Sequence, residues 1–414
     1  MATISATHSR YKTTKPRADF WPFNGTDYGI LIAVAALLVI GLIMVYSSSF
    51  FVSLYYKQTI SYYIRWQSLA ALLGVAGLVV MQFFDYRFFR RVSTFAMLST
   101  LLLLMVVLFV GDPLQGSTRG LWGGKFQPSE VAKLITIFYI ADWLSSKGER
   151  IRDFGMGFIP FVVVVGIVGG LIAVQPDLST AVLICLVAFT MFFVAGARWS
   201  HFIAVLLVGV LAVVFFISVF EHAADRWDAY WTMIQDPTEA EWHSVQVFYA
   251  LARGGLIGQG LGNSFQKTGH LPVPHSDSIL AVIGEELGLV GCLAVLGLLM
   301  FLGYRGYRIA LETVNPYGRL LALGVTSWLV YQALINAAVI TGIIPFTGLP
   351  LPFISYGGSS MATSLLGVGV LLNIAQQNKR LEAGLTRRAG RKNASAGLGR
   401  RNRRAHYSRA GYRS

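Results

Sequence analysis

Apolar residues in this chain come in long unbroken runs, not in the short alternating or three-and-four-residue patterns of a water-soluble fold. Windows such as 28–47 and 201–220 contain no Asp, Glu, Lys or Arg. A bilayer core is about 30 Å thick, and a helix needs about 20 apolar residues to cross it. The pattern therefore predicts an all-α polytopic membrane protein with about ten transmembrane helices. The spans fall near 28–47, 66–84, 93–111, 129–145, 157–174, 178–196, 201–220, 278–303, 318–342 and 356–376. The fifth and sixth spans form a hairpin closed by Gln175-Pro176-Asp177. Segment 221–277, between the seventh and eighth, is too long for a plain connector. Within it Val245, Phe248, Tyr249 and Ala252 recur at helical spacing, which predicts a helix lying at the outer interface.

Composition sharpens this picture. Hydrophobic residues make up 55% of the chain and charged residues 13%, against about 25% charged in ordinary soluble domains. The net charge of +14 would fit nucleic-acid binding if it formed a patch. It does not: 12 of the 34 Lys and Arg residues follow residue 378, and the others sit in short clusters between apolar runs. That is the distribution of membrane topology, and it excludes nucleic acid as a partner. With the N-terminus inside, cytoplasmic segments hold 26 Lys and Arg residues and outer segments hold 7. Both termini are accordingly assigned to the cytoplasm. Three parts result: a cytoplasmic N-terminal segment (1–27), a transmembrane domain (28–378) and a basic tail (379–414) whose composition predicts disorder. The tail reads as a stop-transfer segment or as a contact for anionic lipid. The polar N-terminus runs into the first span without a cleavage site, so that span reads as an uncleaved anchor. Cys185 and Cys292 lie inside apolar runs, which fits neither a structural disulfide nor a metal site.

Ionisable groups within a membrane are costly, so each one is informative. Glu130 and Lys133 open the fourth span one turn apart, after Gln127-Pro128-Ser129. They read as a mutually neutralising pair, or as a lysine facing an anionic headgroup. The outer loop contains Gly258-Gln259-Gly260-Leu261-Gly262-Asn263-Ser264, followed by Lys267. Such a run can present N–H groups to a phosphate or serve as a flexible turn. His275-Ser276-Asp277 leads into the eighth span, with Glu285 and Glu286 about two turns further on. Asp277 reads as a helix cap, or as a carboxylate that accepts a hydroxyl proton or holds a cation. Ser355-Tyr356-Gly357-Gly358-Ser359-Ser360 opens the last span after three prolines. It fits close helix packing or a polar cavity floor.

Taken in order, these strings resemble the SEDS family, the shape, elongation, division and sporulation proteins that include FtsW and RodA. The resemblance is carried by Gln127-Pro128-Ser129-Glu130 with Lys133, Gln175-Pro176-Asp177-Leu178, and Gly258-x-Gly260-x-Gly262-x-Ser264 with Lys267. It continues through His275-Ser276-Asp277, Ile283-Gly284-Glu285-Glu286-Leu287-Gly288 and Leu349 to Ser360. It covers residues from about 28 to 378 and leans to the division member. The chain departs from the family pattern at Ser278, where an aromatic is usual, and at Arg119-x-x-Trp122.

The resemblance implies a peptidoglycan glycosyltransferase of the bacterial plasma membrane. It would polymerise lipid II into β-1,4 glycan strands on the extracytoplasmic face and release undecaprenyl diphosphate. It implies Asp277 as the catalytic residue. Arg119, Lys133 and Lys267, with Gly260, Gly262 and Ser264, would meet the diphosphate. Glu130, Asp177, His275, Glu285, Ser355 and Ser359 would support the site. No cofactor is required, although a divalent cation such as Mg²⁺ or Mn²⁺ would fit the chemistry. The implied partners are lipid II, membrane lipids, a class B penicillin-binding protein and the division or elongation machinery. Two other functions share these features: a flippase for the same lipid, and a noncatalytic scaffold for the transpeptidase.

Overall fold

The computed structural model describes residues 25–57, 59–114, 117–121, 126–236 and 240–383. The first 24 residues and most of the basic tail lie outside this set. Twelve α-helices follow one another: α1 (Tyr28–Lys57), α2 (Tyr62–Phe83), α3 (Arg87–Val110), α4 (Pro128–Lys147), α5 (Ile159–Val174), α6 (Leu178–Val194), α7 (Trp199–Val219), α8 (Glu221–Gln235), α9 (Trp242–Gly254), α10 (Ile279–Glu312), α11 (Pro316–Ile340) and α12 (Gly358–Ala383). The ten spans expected from hydropathy correspond to α1–α7 and α10–α12. Between α3 and α4 a short antiparallel hairpin, β1 (Asp112–Leu114) with β2 (Ser117–Gly120), is the one strand pair among the described residues.

Local chemistry sets the helix ends. Pro128 and Pro316 occupy first-turn positions, where the missing N–H is no loss. Asn315 accepts the Gly318 N–H at 3.2 Å, and Asp177 accepts that of Thr180 at 3.3 Å; both are N-caps. At the other end of α2, Asn373 of α12 donates to the Met81, Gln82 and Phe84 carbonyls, which a helix C-terminus leaves unsatisfied.

Eight helices are long and apolar enough to cross a bilayer by themselves. Of the other two spans, α6 has 17 residues and α4 carries Glu130, Lys133, Asp142 and Lys147. Both bury much of their length inside the bundle. The centre is formed by α11 and α12, with 67% and 78% of their apolar windows buried. At the opposite extreme, none of the α7 window is buried, and the helix keeps only His201 enclosed. A helix apolar all round and exposed all round fits lipid rather than water.

The two ends of the bundle are polar. Groups assigned to the inside by charge gather at one end, where Arg305 pairs with Asp27 at 2.6 Å and Arg90 with Asp142 at 2.8 Å. The motif residues gather at the other. The expected loop helix exists as α9, packed on α10 through Gln246, Val247, Ala250 and Gly254. Its Tyr249 and Ala252 face outward, as on an interfacial helix, while the Phe248 ring lies over Gly342.

Candidate active site

The motif-bearing end of the bundle, outer by the charge assignment, is built from three pieces: the segment 255–278 after α9, the first turns of α10, and the proline-bearing segment 341–357. Their joint is a break in α10. Gly288 has φ +70° and ψ −170°, which ends the helical hydrogen-bond ladder there. The freed carbonyls of Glu285 and Glu286 accept the Gln259 and Gly260 N–H groups, each at 2.9 Å. On the far side, the Leu289 and Val290 N–H groups donate to the Gly255 and Leu256 carbonyls at 2.9 and 3.2 Å. The glycine-rich run therefore splices the broken helix. Gly258 has φ +87°, and a Cβ there would stand 2.6 Å from the Gly288 nitrogen. Only glycine fits so close an approach.

In the expected phosphate cradle the polar groups meet partners within the protein. The Gly260 N–H is spent on α10, and the Gly262 carbonyl accepts from Lys267 at 2.7 Å. Ser264 donates to Glu285 at 2.5 Å. The Glu285 carboxylate also accepts the Phe265 and Gln266 N–H groups at 2.9 and 3.2 Å, and so organises the turn Gln266–Thr268. The ammonium of Lys267 reaches Glu286 at 2.6 Å, Ser47 at 3.0 Å and the Gly262 carbonyl. Its three donors are matched to three protein acceptors, and it is 2% exposed. It ties α1, the loop and α10 together.

Lys133 also meets partners within the protein. It lies 2.8 Å from Glu130, 3.0 Å from Gln332 Oε1 and over the Trp328 ring, 1% exposed. Of the two readings of Glu130 and Lys133, the neutralising pair is the one with matching geometry. Asp177 accepts from Gln127 Nε2 and Ser129 Oγ, each at 3.2 Å. The Gln127 N–H donates to Ser359 Oγ at 3.0 Å. These contacts tie the outer ends of α4, α6 and α12 together. Arg119 lies in β2, and its side chain is outside the described part of the structure.

Asp277 lies where the loop enters α10. The N-cap of α10 is Ser278, so Asp277 lies one residue before the cap position. It is half-buried, and a Cβ built on Gly348 would sit 3.4 Å from its Oδ2. Its backbone is fixed by Asn336, which donates to the Asp277 carbonyl at 2.9 Å and the Leu349 carbonyl at 2.8 Å. His275 packs on Tyr63 with ring centroids 4.2 Å apart, and its carbonyl accepts the Tyr356 N–H at 2.8 Å. Burial pushes its imidazole down to about 4, so it is a neutral neighbour. Ser355 Oγ accepts the Leu351 N–H at 2.7 Å. Gln67 of α2 braces the same segment, donating to the Ser355 carbonyl and accepting the Gly357 N–H. Among the described residues no group of three or more His, Cys, Asp or Glu is placed to hold a metal ion.

Sequence reasoning missed Ser47, Gln67 and Asn336. Gln67 and Asn336 are amides buried inside apolar spans, which is the one signal that marked them.

A model of the cell cycle protein family of FtsW, RodA and SpoVE matches residues 28–380. The chain belongs to this family. Among FtsW/RodA/SpoVE relatives, a probable peptidoglycan glycosyltransferase FtsW of Trichlorobacter lovleyi is 39% identical over 363 residues, covering 86% of this chain and 94% of that one. Stage V sporulation protein E of Bacillus subtilis is 38% identical over 357 residues, covering 85% and 98%. Two solved structures share the fold. RodA of Thermus thermophilus aligns with TM-score 0.63 at 28% identity, over 85% of this chain and 97% of that one. A chain from a peptidoglycan synthase complex that coordinates polymerization and crosslinking aligns with TM-score 0.71 at 27% identity, over 85% and 98%.

Proposed function

We propose that this integral membrane protein is a peptidoglycan glycosyltransferase of the bacterial plasma membrane, polymerising lipid II on its extracytoplasmic face. The observation that carries the reading is Asp277. It is a half-buried carboxylate held at the motif-bearing end of the bundle by Asn336 and the proline segment. The family and its relatives named as peptidoglycan glycosyltransferases support the same activity.

In the reaction a sugar hydroxyl attacks the anomeric carbon of a lipid-diphosphate sugar. A C–O bond forms, the bond to the diphosphate breaks with inversion, and undecaprenyl diphosphate leaves with the electron pair. Asp277 accepts the hydroxyl proton, a role worth about 10²–10⁴ in rate. Diphosphate is already a good leaving group, so one base suffices. With Lys133 and Lys267 held internally, Arg119 is the cation assigned to the diphosphate. The supporting knots at Asp177, Ser359, His275, Ser355 and Glu285 keep the frame rigid, as a preorganised site requires. The likeness to a chain from a synthase complex supports a class B penicillin-binding protein as partner.

The test is reconstitution of the purified protein in liposomes with labelled lipid II, with and without a cognate transpeptidase. Glycan ladders with released undecaprenyl diphosphate are expected. Transbilayer movement of lipid II without polymer would overturn the reading in favour of a flippase.

A further inference from the structure

A cleft of about 320 Å³ opens where the end of α2, the start of α3 and the end of α12 meet. Charge placement assigns this end of the bundle to the cytoplasm, so the cleft lies across the bilayer from Asp277. Its walls are cross-braced. Gln376 Nε2 donates to Gln82 Oε1 at 3.0 Å and to Thr26 Oγ1 at 2.9 Å. Gln377 Nε2 donates to Asp85 Oδ1 at 3.0 Å and to Asn373 Oδ1 at 2.9 Å. Asn373 in turn holds the end of α2 through the Met81, Gln82 and Phe84 carbonyls. The cleft is therefore formed before any ligand arrives, as ligand sites usually are.

Positive charge on its lining exceeds negative. Arg87 and Arg380 stand exposed at the rim, and neither belongs to a salt bridge among the described residues. Arg87 lies 5.9 Å from the Tyr86 ring, a contact that leaves its charge unneutralised. Asp85 is the acidic residue of the lining, and its Oδ1 accepts the Arg87 backbone N–H at 2.9 Å besides Gln377. The chain beyond Ala383 adds ten Lys and Arg and no Asp or Glu, so it brings no anion to this rim. An occupant must supply the negative charge. It must also match an apolar flank, because Phe83 and Leu381 line the same cleft and are 53% and 50% exposed. Helices α2 and α3 each bury only 28% of their apolar windows, so the mouth opens onto a lipid-facing surface. An acidic peptide would answer the arginines and leave that flank unmatched. A phosphodiester head on an acyl tail answers both, and basic pockets between helices on the cytoplasmic side suit such headgroups.

We propose that this cleft binds the headgroup of an anionic phospholipid of the inner leaflet, with Arg87 and Arg380 on the phosphodiester and the acyl chains passing over Phe83 and Leu381 onto α2 and α3. A guanidinium fork meets two phosphate oxygens at once, which suits arginine to this rim. The site stands independently of the glycosyltransferase reading. A lipid bound there joins the root of the basic tail to the α2–α3 loop, and it stabilises the folded chain by mass action.

The experiment titrates full-length protein in a neutral detergent with four probes: phosphatidylglycerol, phosphatidylcholine of the same acyl chains, inorganic phosphate and hexaglutamate. Native mass spectrometry reads binding, and the unfolding temperature reads stabilisation. Phosphatidylglycerol is expected to bind saturably and to raise Tm, and the other three are not. Arg87→Gln with Arg380→Gln should weaken phosphatidylglycerol binding about thirtyfold, from two cations worth about fivefold each. Arg91→Gln with Arg198→Gln removes the same charge from the same end outside the cleft, and should weaken binding less than about threefold. All four arginines are exposed, so both pairs of substitutions leave the fold in place. Equal weakening by the two pairs would overturn the site in favour of general attraction to the basic end. An equal response to phosphatidylcholine or to inorganic phosphate would overturn an anionic lipid as the ligand. Binding of hexaglutamate without phosphatidylglycerol would assign the cleft to a protein partner and overturn the proposal.

Discussion

Replacing Lys267 by Met separates an internal tie from a diphosphate ligand. Lys267 and Glu286 are 2.6 Å apart, with side chains 3% and 0% exposed. Removing one member of a buried pair leaves an uncompensated charge and costs about 3–5 kcal/mol. Ser47 already donates to Glu286 at 2.7 Å beside Lys267, so it offsets none of that loss. Lys267→Met is therefore expected to destabilise by about 3–5 kcal/mol. Glu286→Gln alone strands the ammonium and should cost a similar amount. The double variant removes both charges, so it should recover most of the loss, with a coupling of at least about 2 kcal/mol. Denaturant midpoints of the four proteins in one detergent measure the cycle, and lipid II titration of each gives KM. A Lys267→Met protein of wild-type stability with KM raised tenfold or more would refute the argument and return Lys267 to the diphosphate.

Gly288→Ala should destabilise by more than about 1–2 kcal/mol, because φ +70° penalises a Cβ and the added carbon would stand 2.5 Å from the Gly258 nitrogen; denaturant midpoint and polymer yield should fall together. Gln67→Leu leaves the Ser355 carbonyl and Gly357 N–H without their partner, an expected loss of about 1–3 kcal/mol in the same assay. Acid should weaken the outer end. The His275 imidazole is held at about 4 in the fold against 6.5 free, so the unfolded chain binds the extra proton between those values. Its contribution is complete above pH 6.5 and is lost as pH falls toward 4. At pH 5 the loss is about 2 kcal/mol, and a stability–pH slope over this window that His275→Phe leaves unchanged would contradict the assignment.

The long apolar helices were legible because span length is set by the bilayer and is written locally in the chain. The motif string was legible too, including the position of Asp277. What the motifs bind to was not. Glu286 finds its partners 19 residues away at Lys267 and 239 residues away at Ser47, distances that no spacing rule spans. The break at Gly288 lies inside a run that reads as continuous helix, since a single glycine in an apolar segment carries no sign that its φ is positive. At Gly260 and Ser264 the sequence left the partner open for the same reason. A glycine-rich loop exposes N–H groups, and the sequence cannot say whether a phosphate or a broken helix accepts them. On α9, the aromatic Tyr249 faces out while smaller residues pack. There Gly254 and Gly284 allow an approach that larger side chains would block.

The most direct measurement is the initial rate of glycan formation by Asp277→Asn in proteoliposomes, scored beside wild type at equal folded protein. The amide keeps the size of the side chain and removes its basicity. A fall of about 10²–10⁴-fold with lipid II binding retained is the predicted result. Full-length ladders from the variant at the wild-type rate would contradict the account.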